Sequence, residues 1–123
     1  MGPFVAYEQF WLRYVDFRGR SSRAEYWWVF LINLVLELLF TLGARSTSLV
    51  SDLGLLYGLA AIIPNLALVV RRLHDSDHRG WWIFIALVPI VGAIVLLVFE
   101  LLPGTPGPNR YGDPSTPVRS PRF

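Results

Sequence analysis

Leu53-Gly54-Leu55-Leu56-Tyr57-Gly58-Leu59-Ala60-Ala61-Ile62-Ile63-Pro64-Asn65-Leu66-Ala67-Leu68-Val69-Val70 carries no charged side chain. A bilayer hydrocarbon core of about 30 Å is crossed by about 20 helical residues, and this stretch approaches that length. Only helices and closed barrels satisfy the backbone inside lipid. An unbroken apolar run without period-two alternation therefore reads as a helix. Two further blocks flank it: residues 26–42, interrupted by Asn33 and Glu37, and residues 81–102, interrupted by Pro89, Gly92 and Glu100. The chain of 123 residues is 54% hydrophobic and 16% charged, where a soluble domain averages about 25% charged. Too little polar surface remains to cover three apolar helices in water. The fold class is all-α integral membrane, one domain over residues 1–123, with membrane segments 26–42, 53–70 and 81–102 as three transmembrane helices.

The third block is ambiguous. A single crossing, the preferred reading, sends residues 103–123 to the far side. Turning back at Pro89-Ile90-Val91-Gly92 instead gives a re-entrant or broken helix with arms of about 12–15 Å each. Irregular backbone at that depth then needs protein around it. Residues 103–123 hold six prolines and three glycines in 21 positions and read as a flexible tail.

Residues 4–18 have helical amphipathicity. Glu8, Gln9, Arg13 and Asp16 share one arc; Phe4, Tyr7, Phe10, Trp11, Tyr14, Val15 and Phe17 share the opposite one. This suits a helix lying in the membrane interface, although a helix packed on the bundle would look alike.

Charge sets the orientation. All eleven basic residues are arginine, and the net charge is +2. Arg13, Arg18, Arg20 and Arg23 precede the first block, and Arg71, Arg72 and Arg79 separate the second from the third. The connection 43–48 has Arg45 alone. The positive-inside rule then makes the amino terminus cytoplasmic, with Trp27, Trp28, Trp81 and Trp82 as interface anchors at that face. The apolar blocks begin near residue 26, after Glu8, Asp16 and Glu25, which is not a signal-peptide pattern. The absence of cysteine excludes disulfides and thiolate metal sites.

Three motifs carry a family resemblance: Phe17-Arg18-Gly19-Arg20-Ser21-Ser22-Arg23-Ala24-Glu25-Tyr26-Trp27-Trp28; Arg71-Arg72-Leu73-His74-Asp75 followed by Gly80-Trp81-Trp82; and Pro103-Gly104-Thr105-Pro106-Gly107-Pro108-Asn109-Arg110-Tyr111-Gly112. In this order and spacing the chain resembles the domain-of-unknown-function 805 family, small bacterial inner-membrane proteins of the YhaH type. The resemblance implies a multi-pass protein of the bacterial inner membrane with no established activity. The family usually has a basic residue where His78 stands.

The motifs narrow the chemistry. Arg18, Arg20, Arg23, Arg71, Arg72, His74 and Asp75 gather at one membrane edge, where arginine forks suit phosphate headgroups or a protein partner; a salt-bridged cluster using Asp75 is the structural alternative. Ser22 and Glu25 have capping-box spacing. His74 and His78 have helical ligand spacing, but Gly80 and the short connection argue against a zinc site, and no metal or cofactor is expected. Ser22 or Ser76 beside His74 and Asp75 makes a weak hydrolase case with no oxyanion signature. Asn33, Glu37, Pro64 and Asn65 are candidate pathway residues, since polar groups within spans mark transport routes; Glu37 and Glu100 otherwise snorkel, Glu37 towards Arg45. Pro64 frees the carbonyl of Ala60. The leading reading is a non-enzymatic membrane component binding anionic lipid or a partner, as a homo-oligomer or with another membrane protein, and not nucleic acid. A transporter or channel subunit is the alternative, and an enzyme centred on His74 and Asp75 the third.

Overall fold

The computed structural model describes residues 2–118, which are all helical apart from connections and the tail. The order is α1 (Pro3–Leu12), α2 (Arg23–Gly43), α3 (Ser48–Asp75), a 3-10 helix (Gly80–Leu87) and α4 (Val91–Leu101). At 1.5 Å per residue α2 is about 32 Å long and α3 about 42 Å. These two helices are long and apolar enough to cross a membrane. In a soluble protein such helices would be core. Here only 6% of the apolar stretch of α2 and 22% of that of α3 are buried. Leu34, Leu38, Leu39 and Leu42 on α2, and Leu55, Leu56 and Leu59 on α3, stand outward. A belt of that extent has no place in water.

Local chemistry fixes the helix ends. Ser22 caps α2, its hydroxyl accepting from the Glu25 N–H at 3.2 Å. Thr47 does the same for α3 through Val50. α3 continues five residues past the apolar block and ends in a Schellman motif. Asp77 takes a left-handed φ of 62°, while its N–H returns to His74 O and that of His78 to Leu73 O. Pro64 sits inside α3. The Tyr14 hydroxyl donates to Ala60 O at 2.9 Å, the carbonyl a proline at 64 leaves open.

The third apolar block corrects the preferred expectation of a third full crossing. It turns back. Pro89 lacks the donor a helix needs, and Ile90 takes a φ of 67°, with Val91 N–H bonded to Pro89 O at 2.7 Å. The two arms then lie side by side. A Cβ on Gly92 would collide with the Ile85 carbonyl, so glycine is required where the backbones meet. Trp82 meets Phe99 edge-on at 5.4 Å. The first arm is a 3-10 helix, whose three-residue turn aligns Trp81, Phe84 and Leu87, all exposed, on one side.

α1 is shorter than the 4–18 expectation, and it packs on the bundle. Its polar arc is divided: Gln9 and, at the helix end, Arg13 are buried along with Ala6 and Phe10, while Glu8 is exposed. Ala6 and Phe10 join Tyr26, Val29, Ala61 and Leu68 in a small apolar core between α1, α2 and α3. This core lies toward the end of the body where α2 begins and α3 finishes, hereafter the cap.

Candidate functional site

The cap is a buried charge network. Arg20, Arg71 and Arg72 are at most 2% exposed, and Arg13 is 5%. Unpaired, such groups would cost several kcal/mol each, of order 3–5 when one partner of a pair is removed. Each is answered. Arg20 Nε donates to Asp75 Oδ1 at 3.0 Å and Arg72 Nη1 to Asp75 Oδ2 at 2.8 Å. Arg72 also binds the carbonyls of Glu100 and Leu102. Arg71 donates to Ser21 Oγ at 2.8 Å and to the carbonyls of Arg13 and Asp16. Because residues 71–75 extend α3 by more than a turn, they rise into the connection 13–22, and Ser21 N–H bonds Arg71 O at 3.1 Å.

A second group centres on Glu25, which is fully buried. Its Oε1 lies 3.7 Å from Arg13 Nη1 and 3.8 Å from Arg71 Nη2. Those distances exceed hydrogen-bond length, and Glu25 Oε1 and Arg71 Nη2 have no hydrogen-bond partner. Arg13 Nε pairs with Asp16 at 2.9 Å. Burial works to raise the Asp16 pKa, but the Gly19 N–H, the Arg13 charge and the Arg18 N–H outweigh it, and the net shift is downward.

The tail, expected to be flexible, closes the cap over residues 103–118. Arg20 donates to the carbonyls of Thr105, Gly107 and Gly112. Thr105 N–H binds Asp75 O at 2.7 Å, and Asn109 Nδ2 binds His74 O at 2.9 Å. A side chain on Gly104 would strike the Asp75 carboxylate. The rings of His74 and Tyr111 stack at 3.8 Å. Ser115 Oγ accepts from Arg13 and donates to Glu25 Oε2 at 3.0 Å. The amide of Gln9 bonds both main-chain groups of Val118. Residues 119–123 lie outside the described residues.

The structure thus brings Arg20, Arg71, Arg72, His74 and Asp75 together, while Arg18 and Arg23 stay exposed. His74 Nδ1 lies 3.0 Å from Gly19 O. His78 is beyond the helix end, 2.8 Å from Ser76 Oγ and stacked on Phe99, so the two histidines do not share a helical face. Trp27 and Trp82 both reach α4, Trp27 through Glu100 O at 3.3 Å; Trp28 and Trp81 are exposed. Glu100 is buried at the cap, its main-chain carbonyl accepting from Arg72 Nε at 3.2 Å, not at the opposite end as a single crossing implies. Sequence reasoning missed Gln9, Arg13, Glu25 and Ser115 as members of the site. Of these only Glu25 lies within a motif, the first, where it reads as a capping residue; Gln9, Arg13 and Ser115 lie outside all three.

The pathway candidates are scattered. Asn33 accepts from the Tyr57 hydroxyl, itself 2.9 Å from the Tyr7 hydroxyl. Glu37 lines a groove of about 350 Å³ between α2 and α3, and among the described residues it forms no ion pair with Arg45. Pro64 is buried and Asn65 exposed.

Comparison with known proteins adds the following. The family model described as "Protein of unknown function (DUF805)" matches residues 14–113. Inner membrane protein YhaI of Escherichia coli is 45% identical over 81% of this chain and 86% of its own. Inner membrane protein YhaH of the same organism is 38% identical over 80% of this chain and 86% of its own. The uncharacterized Escherichia coli protein YiiR is 28% identical over 90% and 92%. No solved structure matches the chain.

Proposed function

Starting from the fact that the chain belongs to the DUF805 family, we propose that it is a non-enzymatic inner-membrane component that holds anionic phospholipid headgroups at its cytoplasmic cap. In this reading α2 and α3 span the bilayer, the hairpin 80–101 dips in from the cytoplasmic side, and the amino terminus is cytoplasmic. The observation that carries it is the sorting of arginines. Arg13, Arg20, Arg71 and Arg72 are buried against acids and carbonyls, whereas Arg18, Arg23 and Arg79 remain exposed, Arg23 and Arg79 at the starts of the elements that carry the exposed Trp28 and Trp81. Basic side chains just outside an aromatic belt meet anionic headgroups at about 1 kcal/mol each.

The buried arginines are a scaffold in this view, and the rim is the recognition surface. His74 and Asp75 have structural partners, which gives an enzyme reading no support. A transport reading would need Asn33, Glu37, Pro64 and Asn65 along one lumen, and they face different surroundings. The test is native mass spectrometry of the chain released from mixed micelles. Phosphatidylglycerol should be retained over phosphatidylcholine, retention should fall with salt, and each of Arg18→Gln, Arg23→Gln and Arg79→Gln should weaken it about five-fold. Equal retention of the two lipids sinks the proposal.

A further inference from the structure

The tail is the part of the cap with the most polar links and the least burial. No residue from 103 to 118 is buried, and Pro103, Pro106, Pro108, Pro114 and Pro117 keep it from regular structure. Segments with little apolar burial open locally at low free-energy cost.

Beneath it the arginines are concentrated. Arg20 is 2% exposed; its Nη1 donates to the tail carbonyls of Gly107 and Gly112 and its Nη2 to that of Thr105, while Nη2 also faces Asp75 Oδ1 at 3.0 Å. The tail's three oxygens on this guanidinium are neutral acceptors, and the anionic oxygens of a phosphoryl group are stronger acceptors for the same N–H groups. Charge-assisted bonds of that kind are about twice as strong as neutral ones. Access exists: a cleft of about 1040 Å³ between residues 13–20 and 111–118 has Arg13, Arg18 and Arg20 in its wall. Arg18 is exposed there. Asp16 and Asp113 share that wall, and Asp16 is already paired with Arg13 at 2.9 Å, which leaves Arg18 and Arg20 to meet an anion. Farther in, the buried Arg71 Nη2 makes no hydrogen bond and lies 3.8 Å from Glu25 Oε1.

We propose that residues 105–115 form a displaceable strap over a phosphoryl-anion site. A phosphate entering the cleft past Arg18 replaces the three carbonyls on Arg20 and releases the strap. The proposal rests on the reading that this face recognises anions, and it specifies the group, whether carried by a lipid headgroup or free in solution.

Hydrogen–deuterium exchange on the full chain in phosphatidylcholine nanodiscs tests this. Two probes are compared, millimolar inorganic pyrophosphate and phosphatidylglycerol added to the nanodisc, with sodium chloride at matched ionic strength as control. Amides of 105–115 should exchange roughly five-fold faster or more with at least one probe, while those of α2 and α3 hold. A pyrophosphate response assigns the site to soluble phosphates, and a response to phosphatidylglycerol alone assigns it to headgroups. Arg18→Gln should cut either response. No response to either probe, an equal response to sodium chloride, or a full response in Arg18→Gln overturns the proposal. Lipid retention with an unresponsive strap overturns this inference and leaves the proposed function standing; a pyrophosphate response without lipid retention does the reverse.

Discussion

The cap and the far half of the α2–α3 pair are built on opposite principles. At the cap, four arginines are removed from solvent and each is met by carboxylates, hydroxyls or carbonyls. At the far end, leucines stand outward on both helices, with Gly54 letting Phe40 close against α3. Packing there is thin because lipid tails are as apolar as leucine, so burying one leucine against another gains little. Charges are knitted where the alternative is an uncompensated buried ion, and apolar side chains are left bare where the solvent is hydrocarbon. The energy that fixes this structure is therefore concentrated at one end.

Substitutions can break that contrast. Asp75→Ala strands Arg20 and Arg72 without their carboxylate and should cost about 3–5 kcal/mol. Leu38→Ala or Leu56→Ala, on the bare surface, should stay within about 0.5 kcal/mol. Denaturant titration in detergent compares them, and equal costs would erase the distinction. Between these extremes, Tyr14→Phe withdraws the donor on Ala60 O and should cost about 1 kcal/mol. Tyr57→Phe, which loses the links to Asn33 and Tyr7, should cost about 0.6 kcal/mol, the average for hydrogen bonds between membrane helices. The smallest effect is a pH dependence. The folded-state pKa of Asp16 is depressed. Its stabilisation is therefore complete above the ordinary aspartate value of about 3.9 and is lost as the pH falls through the folded value. The stability gap between the native chain and Asp16→Asn should be widest near neutrality and close on acidification, as read by thermal unfolding.

The apolar helices, the Ser22 cap and the carbonyl opened by Pro64 were all legible in the sequence. The course of residues 81–102 was not. Hydropathy measures how apolar a stretch is, and a run of that length fits one full crossing or two half-depth arms equally well. Pro89 and Gly92 marked the break, but a proline inside a membrane helix can also be a kink. The tail was unreadable for a different reason. It binds through main-chain carbonyls and through Asn109 and Ser115, so neither periodicity nor hydrophobicity registers it. Arg20 and Arg18 are two positions apart in one motif, yet one is buried and the other exposed. Charge alone cannot separate them; the acids that bury Arg20 and Arg71 come from other helices.

The hairpin also bears on how the chain enters a membrane. With the arms of residues 80–101 returning to the cap, the connection Ala44–Thr47 is the one polar link among the described residues that must be carried across in the proposed topology. It is four residues long and holds a single charge, Arg45. Insertion then amounts to pushing one helical pair through the bilayer, and no folded segment need be delivered to the opposite compartment.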